Sequence, residues 1–276
     1  MTRTTLLLTL VAPFIASACV RVSPTELPSP PSPTSSPVGD ETATSGVPPA
    51  ETPAPTQTWP PSFATPTEVE IPGDDGLTLR GTFTPGIDGH GAAVLMLHMY
   101  AADRTTWTPL VEALASAGIA SLAIDLRGHG QTEGDEDWVS ARKDVAATIA
   151  FLRSLPGVDP EEVGIAGASI GANLSLVQAA ADPESVAAVA LLSPGLDYFR
   201  VRIDGLAGQV GDVPLFLAAA EDDRYSAETV RTIAAQSSGT PDLLVYEGVA
   251  HGTGLFTTHP EIIERLSGFF REALEG

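Results

Sequence analysis

Residues 67–276 predict one α/β domain, with a mostly parallel sheet of eight strands and helices on both faces. Three observations carry that prediction. Apolar runs of four to seven residues recur along the stretch, rich in Val, Ile, Leu and Ala at consecutive positions, as in strands covered on both sides. Longer segments between them repeat apolar residues every three or four positions, the period of a helix with one buried face. Strand and helix patterns alternate without an internal repeat, and a length of about 210 residues is enough for one sizeable core.

The apolar runs place strands at 68–71, 78–83, 92–97, 119–124, 163–166, 186–192, 213–218 and 243–246. Pairing of the first two as a hairpin gives the sheet an antiparallel start. The helical period places helices at 106–117, 138–153, 172–181, 227–236 and 261–274. Thr258-His259-Pro260-Glu261 gives the last helix a capping-box start with an early proline, which makes His259 structural. Residues 193–212 alone separate the sixth strand from the seventh, room for a short flap. In that flap Leu196, Tyr198, Phe199, Val201, Ile203, Leu206 and Val210 either line an acyl or alcohol pocket or pack on the sheet edge.

Between the strand at 163–166 and the helix at 172–181 stands Gly167-Ala168-Ser169-Ile170-Gly171, which sets a serine at a strand-to-helix corner. A serine hydroxyl is a poor nucleophile until it is held exposed, beside a general base and near backbone N–H groups that receive a developing oxyanion. The flanking glycines permit the tight turn. Downstream, the strand at 213–218 runs into Glu221-Asp222-Asp223, and the strand at 243–246 leads to Gly248-Val249-Ala250-His251-Gly252. The chain order Ser, Asp, His is that of the hydrolase triad, with Ser169 as nucleophile, His251 as general base and an aspartate fixing the imidazole. Both Asp222 and Asp223 are candidates for that carboxylate, since one of such a pair is commonly a solvated loop charge. An isolated His-Gly is most often a surface loop; order and strand-end placement argue otherwise here.

These motifs resemble the α/β-hydrolase superfamily, in particular its lysophospholipase-like and esterase-like members, over residues of about 68 to 275. Four blocks carry the resemblance: His98-Met99-Tyr100 after the strand at 92–97, Asp125-Leu126-Arg127-Gly128-His129-Gly130 after the strand at 119–124, the serine corner, and the Asp and His loops. The resemblance implies the α/β-hydrolase fold, here without a large lid domain. It favours Asp223 as the acid, because Ala220-Glu221-Asp222-Asp223 matches the family's G-x-x-D pattern with Ala in the Gly place; Asp222 stays as the alternative. It implies oxyanion donors in the backbone of Ile170 and Tyr100. Met99 stands where the family usually has glycine, on the loop that carries the Tyr100 donor. His98 is then a loop organiser bonded to backbone, while Arg127 and His129 brace the loop below the site.

The first nineteen residues carry a different message. Met1-Thr2-Arg3 gives a positive start, residues 6–15 an apolar core, and Ala16-Ser17-Ala18-Cys19 a small-residue end before the chain's one cysteine. Residues 1–18 read as a secretion signal, too short for a membrane span. The Ala16-to-Cys19 end resembles the bacterial lipobox, which implies cleavage before Cys19 and its acylation; an ordinary signal peptide is the alternative. With one cysteine no internal disulfide forms. Residues 19–66 hold more than half of the chain's 24 prolines with many Ser and Thr, and read as an unfolded tether reaching on the order of 100 Å.

The net charge of −21 excludes nucleic acid as an easy partner and makes neutral esters or amides the better substrates. None of the five histidines has the paired spacing of a zinc site, so no metal is implied, and a serine triad needs no cofactor. The expected protein is a serine hydrolase of carboxylic esters acting through an acyl-enzyme, bound to the membrane by a lipid on Cys19 on its extracytoplasmic face, or secreted without that lipid. A serine peptidase, a thioesterase and a surface binding protein that kept the fold without catalysis are the alternatives.

Overall fold

The computed structural model of the chain describes residues 59–73, 75–89 and 91–275; residues 1–18 and Cys19 lie outside the described residues. Along the chain come β1 (Thr67–Pro72), β2 (Thr78–Thr84), β3 (Ala93–Leu97), α1 (Thr108–Ser116), β4 (Ala120–Asp125), α2 (Trp138–Ser154), β5 (Val163–Ala168) and α3 (Ile170–Ala181). Then follow β6 (Ala188–Leu192), β7 (Asp197–Tyr198), β8 (Val201–Arg202), β9 (Leu215–Ala220), α4 (Arg224–Gln236), β10 (Asp242–Tyr246), α5 (Leu255–Thr258) and α6 (Glu261–Leu274).

Eight strands form one sheet in the order β1-β2-β4-β3-β5-β6-β9-β10. β1 pairs antiparallel with β2, and β2 with β4; every pairing beyond β4 is parallel. The chain goes from β3 outward to β4 and returns to the other side of β3 as β5. The crevice at the carboxyl ends of these strands is where such sheets bind ligands, and β5 delivers Ser169 there.

Alternate residues of the central strands feed two cores. Leu95 and Leu97 of β3, Leu122 and Ile124 of β4, and Leu217 of β9 pack with Val145 and Ile149 of α2 and Val230 and Ile233 of α4. Val94, Met96 and Phe216 face the other way, onto Leu110 and Leu114 of α1 and Leu266, Phe269 and Phe270 of α6. β3, β5, β6 and β9 are buried along their whole length, as their continuous apolar sequence requires.

All eight expected strands and five expected long helices are present; several bounds shift by up to three residues, and four differences bear on the site or the domain. β5 runs on to Ala168 and α3 begins at Ile170, so the corner is tighter than the pattern of apolar residues indicates. The capping box before α6 does not form: a one-turn helix occupies Leu255–Thr258, and Pro260, without a side-chain cap, takes the N-cap place. The flap contains a hairpin, β7 with β8, that has no sequence signal. Finally, ordered packing starts before residue 67. Trp59 and Phe63 set their rings against Phe83 at 5.4 and 5.2 Å, and Trp59 Nε1 donates to the Gly86 carbonyl at 2.9 Å. Two aromatic side chains give the end of the proline-rich stretch apolar area to bury, which composition averaged over 19–66 conceals.

Candidate active site

Ser169 is the single residue between β5 and α3, with φ 53° and ψ −117°, a conformation a non-glycine residue adopts only under constraint. The constraint is backbone on backbone. A Cβ on Gly167 would lie 2.2 Å from the Gly171 carbonyl oxygen, and one on Gly171 would lie 2.2 Å from the Leu97 carbonyl oxygen. Both glycines are therefore needed for β5, α3 and β3 to meet. The Ser169 N–H donates to the Leu192 carbonyl at 2.8 Å, tying the corner to the end of β6. Ile170, wholly buried, opens α3, whose first N–H groups have no partner within the helix.

Asp223 and His251 meet at the ends of β9 and β10. His251 Nδ1 lies 2.6 Å from Asp223 Oδ2, so Nδ1–H donates to the carboxylate and leaves Nε2 as the proton acceptor. Asp222 is exposed and serves through its backbone, its N–H donating to the Gly248 carbonyl at 2.9 Å. The His251 loop is fastened by Ser193 Oγ, which accepts the Gly252 N–H at 2.9 Å. A Cβ on Gly252 would stand 2.9 Å from Met99 Sδ and 3.3 Å from the Ala168 Cβ. Met99 thus fills the space between the neighbours of Ser169 and His251, a packing role for the side chain that replaces a glycine.

Tyr198, on the hairpin, stands by the candidate triad. Its hydroxyl lies 3.2 Å from Ser226 Oγ, and its ring stands edge-on to His251 at 6.2 Å. Burial pushes the phenol pKa up, which keeps the hydroxyl a donor. The hairpin is anchored from the helix behind the nucleophile: buried Asn173 donates to the Gly195 and Val201 carbonyls, each at 2.7 Å, and accepts the Gly195 N–H at 3.1 Å. Sequence reading missed Asn173, Ser193 and the position of Tyr198. Of the seven flap residues, Val201, Ile203 and Val210 are buried in the core, Leu196, Leu206 and Tyr198 are partly buried, and Phe199 is exposed.

The two loops beside the corner are braced by buried polar groups. His98 Nε2 accepts the Leu126 N–H at 2.9 Å, so Nδ1 is the protonated nitrogen and donates to the Met99 carbonyl at 2.7 Å. Burial holds its pKa below the ordinary range and keeps the ring neutral. Arg127 binds Asp144 with two nitrogens at 2.6 and 2.9 Å, and Asp144 raises its pKa. Asp125 accepts the backbone N–H of Arg104 at 2.9 Å and of Gln131 at 2.8 Å and pairs with the Arg104 guanidinium. A Cβ on Gly130 would sit 2.3 Å from that carboxylate, which accounts for the last glycine of the block. Tyr100 follows on the same loop as His98, its side chain 45% exposed. The close approach of Gly171 to the Leu97 and His98 carbonyls puts this loop against the first turn of α3.

No group of three or more His, Cys, Asp or Glu among the described residues is arranged to hold a metal. A surface concavity between Asp242 and residues of α6 such as Ile263 and Glu264 contains none of the candidate-site residues.

The comparisons with known proteins fit this geometry. The family described as serine aminopeptidase, S33, matches residues 88–208, which include Ser169. A polyketide transferase, ATR5, of Stachybotrys chlorohalonatus is 30% identical over 56% of this chain and 57% of its own length. A thiohydrolase, aneE, of Aspergillus aculeatus is 36% identical over 37% of this chain and 33% of its own. The chain thus spans between a third and about half of these two relatives. The Pyrococcus furiosus esterase Pf2001 superposes with a TM-score of 0.64 at 19% identity, covering 79% of this chain and 95% of that one. The superposition shows that the chain has the α/β-hydrolase fold.

Proposed function

We propose that this protein is a serine hydrolase that cleaves carboxylic esters through an acyl-enzyme. The carrying observation is the Asp223–His251 pair at 2.6 Å, on strand ends beside a serine held at φ 53° at its corner. In this reading His251 Nε2 takes the Ser169 proton as Oγ attacks the ester carbonyl. The tetrahedral oxyanion lies against the N–H of Ile170 and of Tyr100, and collapse expels the alcohol with the proton from His251. Water activated by the same imidazole then releases the acid. Asp223 holds the imidazole tautomer throughout. The strongly negative chain favours neutral substrates. An extracytoplasmic lipid anchor on Cys19 belongs to the same proposal and rests on residues 16–19 of the sequence. The thiohydrolase relative favours thioesters as the second reading.

Fluorophosphonate labelling of the protein and of Ser169→Ala, with p-nitrophenyl acetate and thioester hydrolysis followed in parallel, tests the reading. Labelling and turnover that both vanish in Ser169→Ala are expected. A folded protein with neither overturns it in favour of a binding role. Fractionating the same expression cultures beside a Cys19→Ser variant tests the anchor, which fails if both stay in the membrane fraction or both leave it.

A further inference from the structure

We infer that Tyr100, Trp138 and Phe199 form an aromatic subsite beside Ser169 that binds a neutral, planar aromatic substituent of the ester; this deepens the serine-hydrolase reading and rests on it. Two loops and the first turn of α2 contribute one ring each. Phe199 stacks on Trp138 at 5.2 Å and 25° and meets Tyr100 at 5.0 Å, while Trp138 and Tyr100 stand 6.4 Å apart, edge to face. Phe199 is 48% exposed and Tyr100 45%, so the cluster presents ring surface to solvent. Stacking as close as that of Phe199 on Trp138 leaves no slot between the two, and a substituent lies across the open surface of Phe199 and Tyr100.

Two pairs of sequence neighbours tie this surface to the candidate triad. Tyr198 sets its ring edge-on to His251 at 6.2 Å while Phe199, next to it, stacks in the cluster. Met99 packs toward Ala168 and Gly252 while Tyr100, next to it, meets Phe199. The fold also keeps unfavourable features here that a merely structural turn would shed. Phe199 and Arg200 both have positive φ, 50° and 67°, in a two-residue hairpin loop where Asn-Gly is the relaxed choice. Behind the rings, His129 lies 5.7 Å from Tyr100 and 5.8 Å from Trp138, and its Nε2 is buried without a hydrogen-bond partner. Aromatic walls select flat rings through offset and edge contacts that aliphatic chains lack. The acidic chain, with Glu136 near His129, disfavours a ring that carries a carboxylate.

The ring can come from either side of the ester, and the test has an arm for each. Hydrolysis of ethyl benzoate (acyl side) and benzyl acetate (alcohol side) is measured relative to ethyl acetate, by acid release, for the protein and for Phe199→Ala. The kcat/KM ratio over ethyl acetate is expected to fall about tenfold on one arm, which identifies the side. Phe199→Leu keeps apolar bulk at the tip and is expected to lower the same ratio, which guards against a collapsed hairpin as the cause. Ratios unchanged on both arms overturn the subsite. If a folded protein hydrolyses no ester, the functional reading fails separately, and the subsite is then judged by binding. Ethyl benzoate or benzyl acetate added to Ser169→Ala protein is expected to change tryptophan fluorescence saturably, with the change lost in Trp138→Phe. No Trp138-dependent change overturns the subsite whatever hydrolysis does.

Discussion

The serine corner and the tip of the flap hairpin both hold non-glycine residues in the left-handed region, and they do so by opposite means. Ser169 is confined by backbone: Gly167, Gly171 and the Leu97 carbonyl leave no room for another path. Phe199 and Arg200 are confined by side chains: Asp197 Oδ1 accepts the Arg200 N–H at 2.9 Å, Asn173 grips the hairpin from α3, and the rings of Tyr100 and Trp138 receive Phe199. Backbone confinement fixes an atom to a fraction of an ångström, which a nucleophile needs. Side-chain confinement is softer and changes with single substitutions, which suits a surface that meets variable parts of a substrate. On the serine-hydrolase reading, the difference separates where chemistry is fixed from where selectivity is tuned.

The largest expected break lies on the fixed side, where the acid reaches His251. On the serine-hydrolase reading, Asp223→Asn lowers kcat about 10⁴-fold, roughly 5.5 kcal/mol of transition-state stabilisation, because the imidazole loses its tautomer. Asp222→Asn stays within about twofold, since that side chain is exposed and only its backbone is used. Steady-state ester kinetics on both variants decide it; comparable losses in the two would remove Asp223 from the fixed half.

Next in size is Gly171→Ala. The added methyl would meet the Leu97 carbonyl at 2.2 Å and the His98 carbonyl at 2.7 Å, with backbone on both sides. A loss of about 3–4 kcal/mol is expected, read as a Tm lowered by about 10 °C in a calorimetric scan. A Tm within about 2 °C of the parent would mean that the corner relaxes freely, and the contrast between the two regions would disappear.

How legible each region was in the sequence follows the same divide. The corner is contiguous, so Gly167, Ser169 and Gly171 announce it within five residues, and the buried strands announce the sheet. Asp223 and His251 were named by chain order and by resemblance, each lying within five residues of a strand end. The flap was not legible. Its strands are two residues long, its turn is Phe-Arg without glycine or asparagine, and its anchor, Asn173, bonds to residues 22 and 28 positions away. Trp138 reads as the first residue of a helix, and only the fold brings it to Phe199. Trp59 and Phe63 were hidden for a related reason: a proline-rich average says nothing about two rings that find Phe83 across the hairpin.

The smallest expected effect probes the soft side directly. Arg200 is exposed, has φ 67°, and offers its backbone N–H to Asp197. Glycine at this position keeps that N–H and removes the clash between Cβ and backbone, worth about 1–2 kcal/mol, while the more flexible unfolded chain takes back about half. Arg200→Gly is therefore expected to stabilise by roughly 0.5–1 kcal/mol and to raise the Tm by about 1–4 °C. Ser169→Gly at the corner relieves strain of the same kind at the cost of the nucleophile, so only the hairpin allows strain to be measured apart from chemistry. A lowered Tm for Arg200→Gly would show that the arginine side chain itself holds the turn. The tip would then owe its shape to a surface contact of Arg200, and the ring of Phe199 would be positioned by its neighbour as much as by Trp138 and Tyr100.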